Sequence, residues 1–414
     1  MKHNLFKQIK TTQIIIAVLS IACIGLLVYS FSDKNPNKGK ADYGEIESIK
    51  GSNMDFGQLS KYFSDLAEEQ GGEYAYKSLA KAAALSYIPQ NIDLHLLGHV
   101  VGDVLYKQEG IDGIKVCTND LRNACSHSIV VGALLEFGES SLGEIVDTCK
   151  LAPGGSGAYT MCIHGLGHGV LAYTEYDMKK AIDFCGKIMP PSFDRVYVEC
   201  AGGIAMEMMS GINDPEAWRK QSVNYFKKDD PLAPCNMDFM PKEAQPICYN
   251  FLTPHLIEAS GGNFGSPTPE DYKAAFKLCD TIPKNQDANR NSCFGGLGKE
   301  FPVLVNNRNV QNVTSLSDDK LKTIYEWCSL GIGEESTRAC LNSSLQSLYW
   351  GGENEPQISI RFCRTMGTSE HQNFCFENLF GSVSYYISDS SYKKQFCSDV
   401  PENFQDRCKR ALSI

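Results

Sequence analysis

Two apolar patterns divide this chain. Ile14 to Phe31 runs eighteen residues without a formal charge, which is ~27 Å of helix at about 1.5 Å per residue and long enough to cross a bilayer core. Lys2, Lys7 and Lys10 precede it. A cleaved signal peptide would have a shorter apolar region and a small-residue cleavage site after it, and neither is found. The expectation is an uncleaved transmembrane signal anchor over 14–31, with 1–13 cytoplasmic. From 32 to 52 the chain is polar and without apolar periodicity, so it reads as a tether.

Beyond residue 52 the apolar spacing becomes helical. Leu59 to Glu69 and Tyr74 to Tyr87 predict a first helical hairpin split by Gly71 and Gly72, with Pro89 after it. Further helices announce their starts by a capping side chain with acid in the first turn: Thr268-Pro-Glu-Asp, Asp214-Pro-Glu and Ser317-Asp-Asp. The fold class expected is all-α.

Cysteine spacing turns this helical pattern into a repeat. One cysteine of seventeen, Cys23, lies in the apolar span. The other sixteen form sequential couples: Cys117 with Cys125, Cys149 with Cys162, Cys185 with Cys200, Cys235 with Cys248, Cys279 with Cys293, Cys328 with Cys340, Cys363 with Cys375, and Cys397 with Cys408. Each couple brackets a loop rich in Pro, Gly and Asn, with a helix leading into the first cysteine and the second opening the next helix. Phe184, Trp327, Phe362 and Phe396 immediately precede first cysteines. Second cysteines recur every 33 to 48 residues, a period that means helical-hairpin repeats. The sequence therefore predicts a disulfide-stapled, α-solenoid-like array behind one N-terminal transmembrane helix. Connectivity does not follow from spacing alone, but local pairing is the expectation because the context recurs eight times. The couple at 235 and 248 is the least regular, since Cys235 follows DDPLAP and Pro254 interrupts the next helix. A bend or domain seam is expected near 225 to 262, dividing N-terminal repeats over 53–224 from C-terminal repeats over 225–414.

Composition adds location and removes one class of partner. Sixteen paired cysteines imply an oxidising compartment, so the body is expected outside the cytoplasm, periplasmic or extracellular. After the span, 36 basic residues (39 less the three leading lysines) face 49 acidic ones, a formal charge of −13. Nucleic-acid binding is dominated by phosphate neutralisation, and so acidic a body excludes that partner.

Candidate chemistry is confined to a few histidines. CIHGLGHG sets His164 and His168 one helical turn apart, and HLLGHVVGD does the same for His95 and His99, with Asp103 a further turn along. Residues four apart share a helix face and can chelate one ion. His127 follows Cys125 by two places as His164 follows Cys162, so repeat alignment stacks His95, His127 and His164 at one position and His99 and His168 at a second. The expected metal ligands are His95, His99, Asp103, His127, His164 and His168, a donor set suited to Zn, Fe, Mn or Cu. Gly165, Gly167 and Gly169 each cost a helix about 1 kcal/mol and signal close approach of a ligand or of another helix. Glu136, Glu199 and Glu207 could lend a carboxylate, although a solvated or capping place is the simpler expectation for each. His255 is a weaker candidate for the same groove, and His371, in GTSEHQNF, is expected at the surface in a turn. No peptidase helix, nucleophile elbow or phosphate loop is present, and no cysteine of the body is left over as a thiol.

Two functions fit these features. One is a membrane-anchored extracytoplasmic protein with a histidine-based metal site in its N-terminal half, open to hydrolytic or redox chemistry. The alternative is a non-catalytic scaffold binding a protein or glycan partner, with contacts from aromatic residues such as Tyr349, Trp350, Tyr385 and Tyr386.

Overall fold

The structure, a computed structural model, describes residues 43–414 except 90–91, 119, 212, 307–312, 352–355 and 388. The expected cytoplasmic segment 1–13 and span 14–31 lie outside the described residues. Among the described residues no helix is long and apolar enough to cross a membrane. Where an unstructured tether is expected, Gly44–Ile49 forms a 3-10 helix. Its two isoleucines, Ile46 and Ile49, stand three apart and are both buried, which gives an otherwise polar stretch one apolar face.

From Ser48 to Ile414 the chain forms one compact unit. Among the described residues it is built from α-helices and short 3-10 helices, with no strand. In chain order the α-helices are α1 (Phe56–Gln70), α2 (Gly72–Ala84), α3 (Leu94–Glu109), α4 (Ala124–Phe137), α5 (Leu142–Cys149), α6 (Gly155–Tyr173), α7 (Met178–Ile188), α8 (Arg195–Ser210), α9 (Pro215–Ser222) and α10 (Gln245–Phe251). There follow α11 (Thr253–Ala259), α12 (Pro269–Asp280), α13 (Asp287–Leu304), α14 (Asp318–Cys328), α15 (Gly333–Gly351), α16 (Gln357–Arg364), α17 (Ser369–Tyr386), α18 (Ser390–Asp399) and α19 (Glu402–Leu412). The start signals act as their chemistry dictates. Thr268 and Asp271 form a capping box on α12, Asp214 accepts from two first-turn amides of α9, and Ser317 accepts from Lys320 N on α14. Each satisfies amides that a helix start leaves without an internal partner.

The helices fall into two layers. An inner row, α3, α4, α6, α8, α10, α13, α15, α17 and α19, packs each member against the next, while α5, α7, α12, α14, α16 and α18 pack as an outer row against the inner helix that follows them. All eight cysteine couples pair locally, with Cα atoms 5.4 to 5.9 Å apart, inside the range a disulfide requires. One expectation needs correcting. Most second cysteines do not open their helix: Cys162 lies seven residues into α6 and Cys340 seven into α15. In six of the eight couples the residues between outer and inner helix are themselves wound into the inner one, so the bond ties the end of an outer helix to the second or third turn of its neighbour. The irregular couple is as expected. No helix precedes Cys235, and the break between α10 and α11 falls at Leu252, with Pro254 in the first turn of α11.

Aromatic residues before the first cysteines wedge the layers together. Phe184, Phe362 and Phe396 are buried, each burial being worth about 1.5–3 kcal/mol. Trp327 packs on Tyr272 and Phe301, with centroids 4.9 and 5.3 Å away. Between inner helices, glycine sets the spacing. A Cβ on Gly203 would lie 1.9 Å from the His164 carbonyl oxygen, and one on Gly298 would lie 2.1 Å from that of Cys340. Neither position admits a side chain unless α6 and α8, or α13 and α15, move apart. The array also curves, since the Arg195 guanidinium at the start of α8 lies over the Tyr385 ring of α17, 5.4 Å from its centroid.

Candidate metal centre

Three inner helices deliver five histidines to one place. α3 carries His95 and His99, α4 carries His127, and α6 carries His164 and His168. His127 is at the middle, its ring centroid 5.9 and 6.2 Å from those of His95 and His99 and 6.0 and 5.7 Å from those of His164 and His168. The close helix approach makes room for it, because a Cβ on Gly165 would sit 2.4 Å from the His127 ring. Glycine here serves a neighbouring histidine, whereas Gly167, whose Cβ would lie 2.2 Å from the Cys200 carbonyl oxygen, serves helix packing.

Hydrogen bonds fix where the ring protons are. His95 Nδ1 lies 2.9 Å from the Leu121 carbonyl oxygen; a carbonyl only accepts, so Nδ1 carries the proton and Nε2 the lone pair. His99 Nδ1 lies 2.9 Å from Ser128 Oγ, whose own proton goes to the His99 carbonyl oxygen at 3.0 Å. His99 Nδ1 is therefore also the donor. The two Nε2 atoms face each other at 3.1 Å, each presenting a lone pair. Without a cation between them that contact is repulsive. Burial first, and then the neighbouring histidines, lower the pKa of His99 to about 3, which keeps that ring neutral near neutral pH. A metal ion fits: four ligands about 2.0–2.1 Å from a tetrahedral ion stand about 3.3 Å apart.

His127 completes a triad. Its Nε2 donates to the Met161 carbonyl oxygen at 3.2 Å, leaving Nδ1 unprotonated, and burial holds its pKa well below the ordinary histidine value. One nitrogen each from His95, His99 and His127 lies within 4.8 Å of the other two. This buried histidine group could hold a metal ion. Neutral imidazoles suit Zn, Fe, Mn or Cu and not Ca or Mg.

The remaining expected ligands lie outside the triad. Asp103 is exposed and sits beside the Ser128 side chain, so it meets the site through the hydroxyl that holds His99. His164 is buried with Nδ1 3.3 Å from Glu199 Oε2. His168 Nδ1 lies 3.0 Å from Glu207 Oε2, and burial lowers its pKa against the opposing pull of that carboxylate.

Two carboxylates differ from expectation. Glu207 is 1% exposed and is neither solvated nor capping. Its oxygens accept from His168 Nδ1, from the Tyr176 hydroxyl, and from Asn213 through both its backbone N and its Nδ2. All four contacts are donors, which a buried carboxylate requires. Its one sequence signal is a lone charge in the apolar run AGGIAMEMM. Glu199, also drawn in, lies between His164 and Arg195, whose Nε is 3.5 Å from Oε1; Glu136 does stay near solvent, accepting from the Tyr106 hydroxyl. Backbone strain supports the outer shell. Leu121, which supplies the acceptor for His95, and Tyr176, which bonds Glu207, have φ of 55° and 61°. Left-handed conformations at such residues cost about 1–3 kcal/mol and collect where geometry must be imposed.

The other histidines are elsewhere. His255 stacks on Phe226, centroids 4.7 Å apart. His371 is buried, contrary to the surface turn expected of it: Thr368 caps α17, which places His371 in the first helical turn between the Tyr325 hydroxyl and Glu334, at 3.1 Å from each. His3 lies outside the described residues. Among the aromatic residues offered as partner contacts, Tyr349 is core and Tyr385 is 57% exposed. No family model, no curated protein and no solved structure matches the chain, so its histidine geometry stands without a relative to compare.

Proposed function

We propose that this chain is a membrane-anchored, extracytoplasmic helical-repeat protein whose N-terminal repeats, 53–224, hold a transition-metal ion on His95, His99 and His127. The observation that carries this is the pair of unprotonated Nε2 atoms 3.1 Å apart, both made acceptors by bonds to Leu121 and Ser128. The eight disulfides suggest an oxidising, extracytoplasmic compartment, and the apolar run 14–31 supports the anchor. When bound, such an ion supplies Lewis acidity and a water of lowered pKa, or a redox couple if it is Fe, Mn or Cu. The chain's own part is to keep the imidazoles neutral by burial and to fix their tautomers through Leu121, Ser128 and Met161. His168 and His164, with Asp103 behind Ser128, belong to the same histidine-lined region.

Elemental analysis of the oxidised body, purified without a histidine tag and dialysed against micromolar Zn, Fe, Mn or Cu, tests this reading. At least one tightly held ion per chain is expected, lost in His95→Ala, His99→Ala. No retained ion with any of the four metals would end it.

A second reading, partner binding by the C-terminal repeats 225–414, has one observation in its favour. A cavity of about 500 Å³ is lined by Asn250, Asn291, Asn342, Asn378 and Phe374 among others. Its charges are already matched, Arg338 by Glu334 and Glu370 and Glu335 by Arg290. Such a lining suits an uncharged, hydrogen-bonding partner such as a glycan, and glycan-array binding lost in Asn342→Ala would support it.

A further inference from the structure

One asparagine from each of four successive inner helices lines the cavity of the C-terminal repeats: Asn250 on α10, Asn291 on α13, Asn342 on α15 and Asn378 on α17. A single cavity can touch four helices in a row only where the row bends around it. Asn250 and Asn342 also share one repeat position, two places after Cys248 and Cys340. Little of this hydrogen-bonding capacity is spent on the fold. Asn342 Oδ1 is buried without a hydrogen-bond partner, and Asn378 gives one Nδ2 proton to the Phe374 carbonyl oxygen at 2.8 Å, which leaves its second. A structural asparagine looks different: Asn289 Nδ2, on the same helix as Asn291, donates to Gln245 Oε1 at 2.8 Å and to Gln286 Oε1 at 3.0 Å.

A carboxamide sets a donor and an acceptor side by side. A ligand that answers a row of them repeats the complementary pair, and it is uncharged, since the charges at the cavity are already matched. An extended polypeptide does both. The N–H and C=O of every second residue point to one side of it, about 6.4–6.8 Å apart along the chain. The inner helices here are at backbone contact: a Cβ on Gly296 would lie 2.8 Å from the Asn250 carbonyl oxygen, and one on Gly298 2.1 Å from that of Cys340. Packed helices have axes about 8–10 Å apart, and side chains on the inside of the bend stand closer than the axes, towards the two-residue repeat of a strand. A glycan is also uncharged and hydrogen-bonding, but its hydroxyls rotate and surround each ring, so they form no regular row of paired donors and acceptors.

On the second reading above, in which the C-terminal repeats bind a partner at this cavity, we infer that the partner is an extended stretch of polypeptide held by its main chain. Asn250, Asn291, Asn342 and Asn378 each meet the N–H and C=O of alternate residues. The segment's own side chains stay out of that pairing, so binding tolerates many sequences. Strand addition to a sheet edge works likewise, with affinity from main-chain hydrogen bonds. Segments without tertiary structure of their own are the natural occupants, and the metal triad takes no part.

The test is calorimetric titration of the full chain, oxidised and untagged, with an acetylated and amidated nonapeptide of Ser, Thr and Gln, whose extended reach of about 30 Å covers four helices. Two further probes are the same residues in rearranged order and the fully N-methylated peptide, which keeps the side chains and loses the N–H donors. The first two are expected to bind alike, and the N-methylated form about 100-fold more weakly. Asn250→Ala and Asn342→Ala, shown to be folded by circular dichroism, should each weaken binding about 10-fold, and His99→Gln should leave it unchanged. Equal binding of the N-methylated peptide would overturn the inference, as would unchanged affinity in both folded asparagine variants. Binding of neutral glycans on an array, with none of the peptides, would overturn it and leave partner binding at the cavity standing. Neither peptide nor glycan binding would remove that second reading as well. The comparison of peptides on wild type needs no variant, so a substitution that fails to fold does not protect the proposal.

Discussion

Two places after the second cysteine, the N-terminal repeats carry His127 and His164, and the C-terminal repeats carry Asn250, Gly295 and Asn342. Around that position the two regions are built alike. Both use local disulfides of similar span, 13 residues at Cys149–Cys162 and 12 at Cys328–Cys340. Both bring inner helices to backbone contact at glycine, Gly203 in one and Gly298 in the other. They differ in what is buried between helices. The N-terminal region buries neutral imidazoles and the carboxylate of Glu207. The C-terminal region buries the cation of Arg290, which donates to the Asp280 and Ile282 carbonyl oxygens and pairs with the Asp280 and Glu335 carboxylates. Scaffold and chemistry are thus specified by different residues, and a glycine-rich helix contact is not in itself the mark of a site.

The largest expected effect should fall equally on both regions. Replacing both cysteines of the couple 149–162 by serine, or both of 328–340, is expected to cost ~3 kcal/mol in either case, read from urea unfolding. Metal affinity should drop only in the first variant; a drop in the second would mean that the C-terminal repeats shape the centre.

Ser128→Ala comes next. Removing the hydroxyl that accepts from His99 Nδ1 is expected to weaken metal binding about 10- to 100-fold, whereas Glu335→Gln, on the Arg290 side, should leave it unchanged. An unaltered zinc isotherm for Ser128→Ala would remove that hydroxyl from the centre.

Acid should separate the regions by degree. Folding depresses the pKa of His99 to about 3 and lowers those of His127 and His168, while an unfolded histidine titrates at about 6.5. Their contribution is intact above about pH 6.5 and declines as pH falls towards 3, because only the unfolded chain takes up those protons. Hydrogen exchange on metal-free protein at pH 5 is expected to show α3, α4 and α6 losing protection before α13 and α15; the reverse order would contradict the assignment of neutral buried imidazoles.

The smallest effect is expected from Asn342→His, which restores a histidine at the equivalent C-terminal position. It should change stability by less than about 1 kcal/mol and add no metal. An added ion would show that the scaffold alone creates the site.

Much of this could be read from the chain because it depends on local chemistry. Disulfide partners 8 to 15 residues apart and caps such as Thr268 leave their mark within a turn or two. So did the alignment of His127 with His164, since repeat position becomes spatial position in a stack. What could not be read is set by inter-helix geometry. Glu207 meets His168 across α6 and α8, 39 positions apart, and Ser128 holds His99 across α3 and α4, as single residues with no spacing to repeat. His371 was misplaced because its turn-like neighbours hide a helix start. Asp103 has the right period, but the helix turns it to solvent.

Strictly adjacent pairing has a consequence for how such a protein could be made. Sixteen cysteines allow a very large number of pairings, yet among the described residues each of the sixteen is paired with the next or the previous one. A body exported in chain order into an oxidising compartment presents each couple before the next arrives. Simple oxidation in order of appearance then gives the native set, with little for a disulfide isomerase to correct, and the hairpins can close one at a time while the rest of the chain is still in transit.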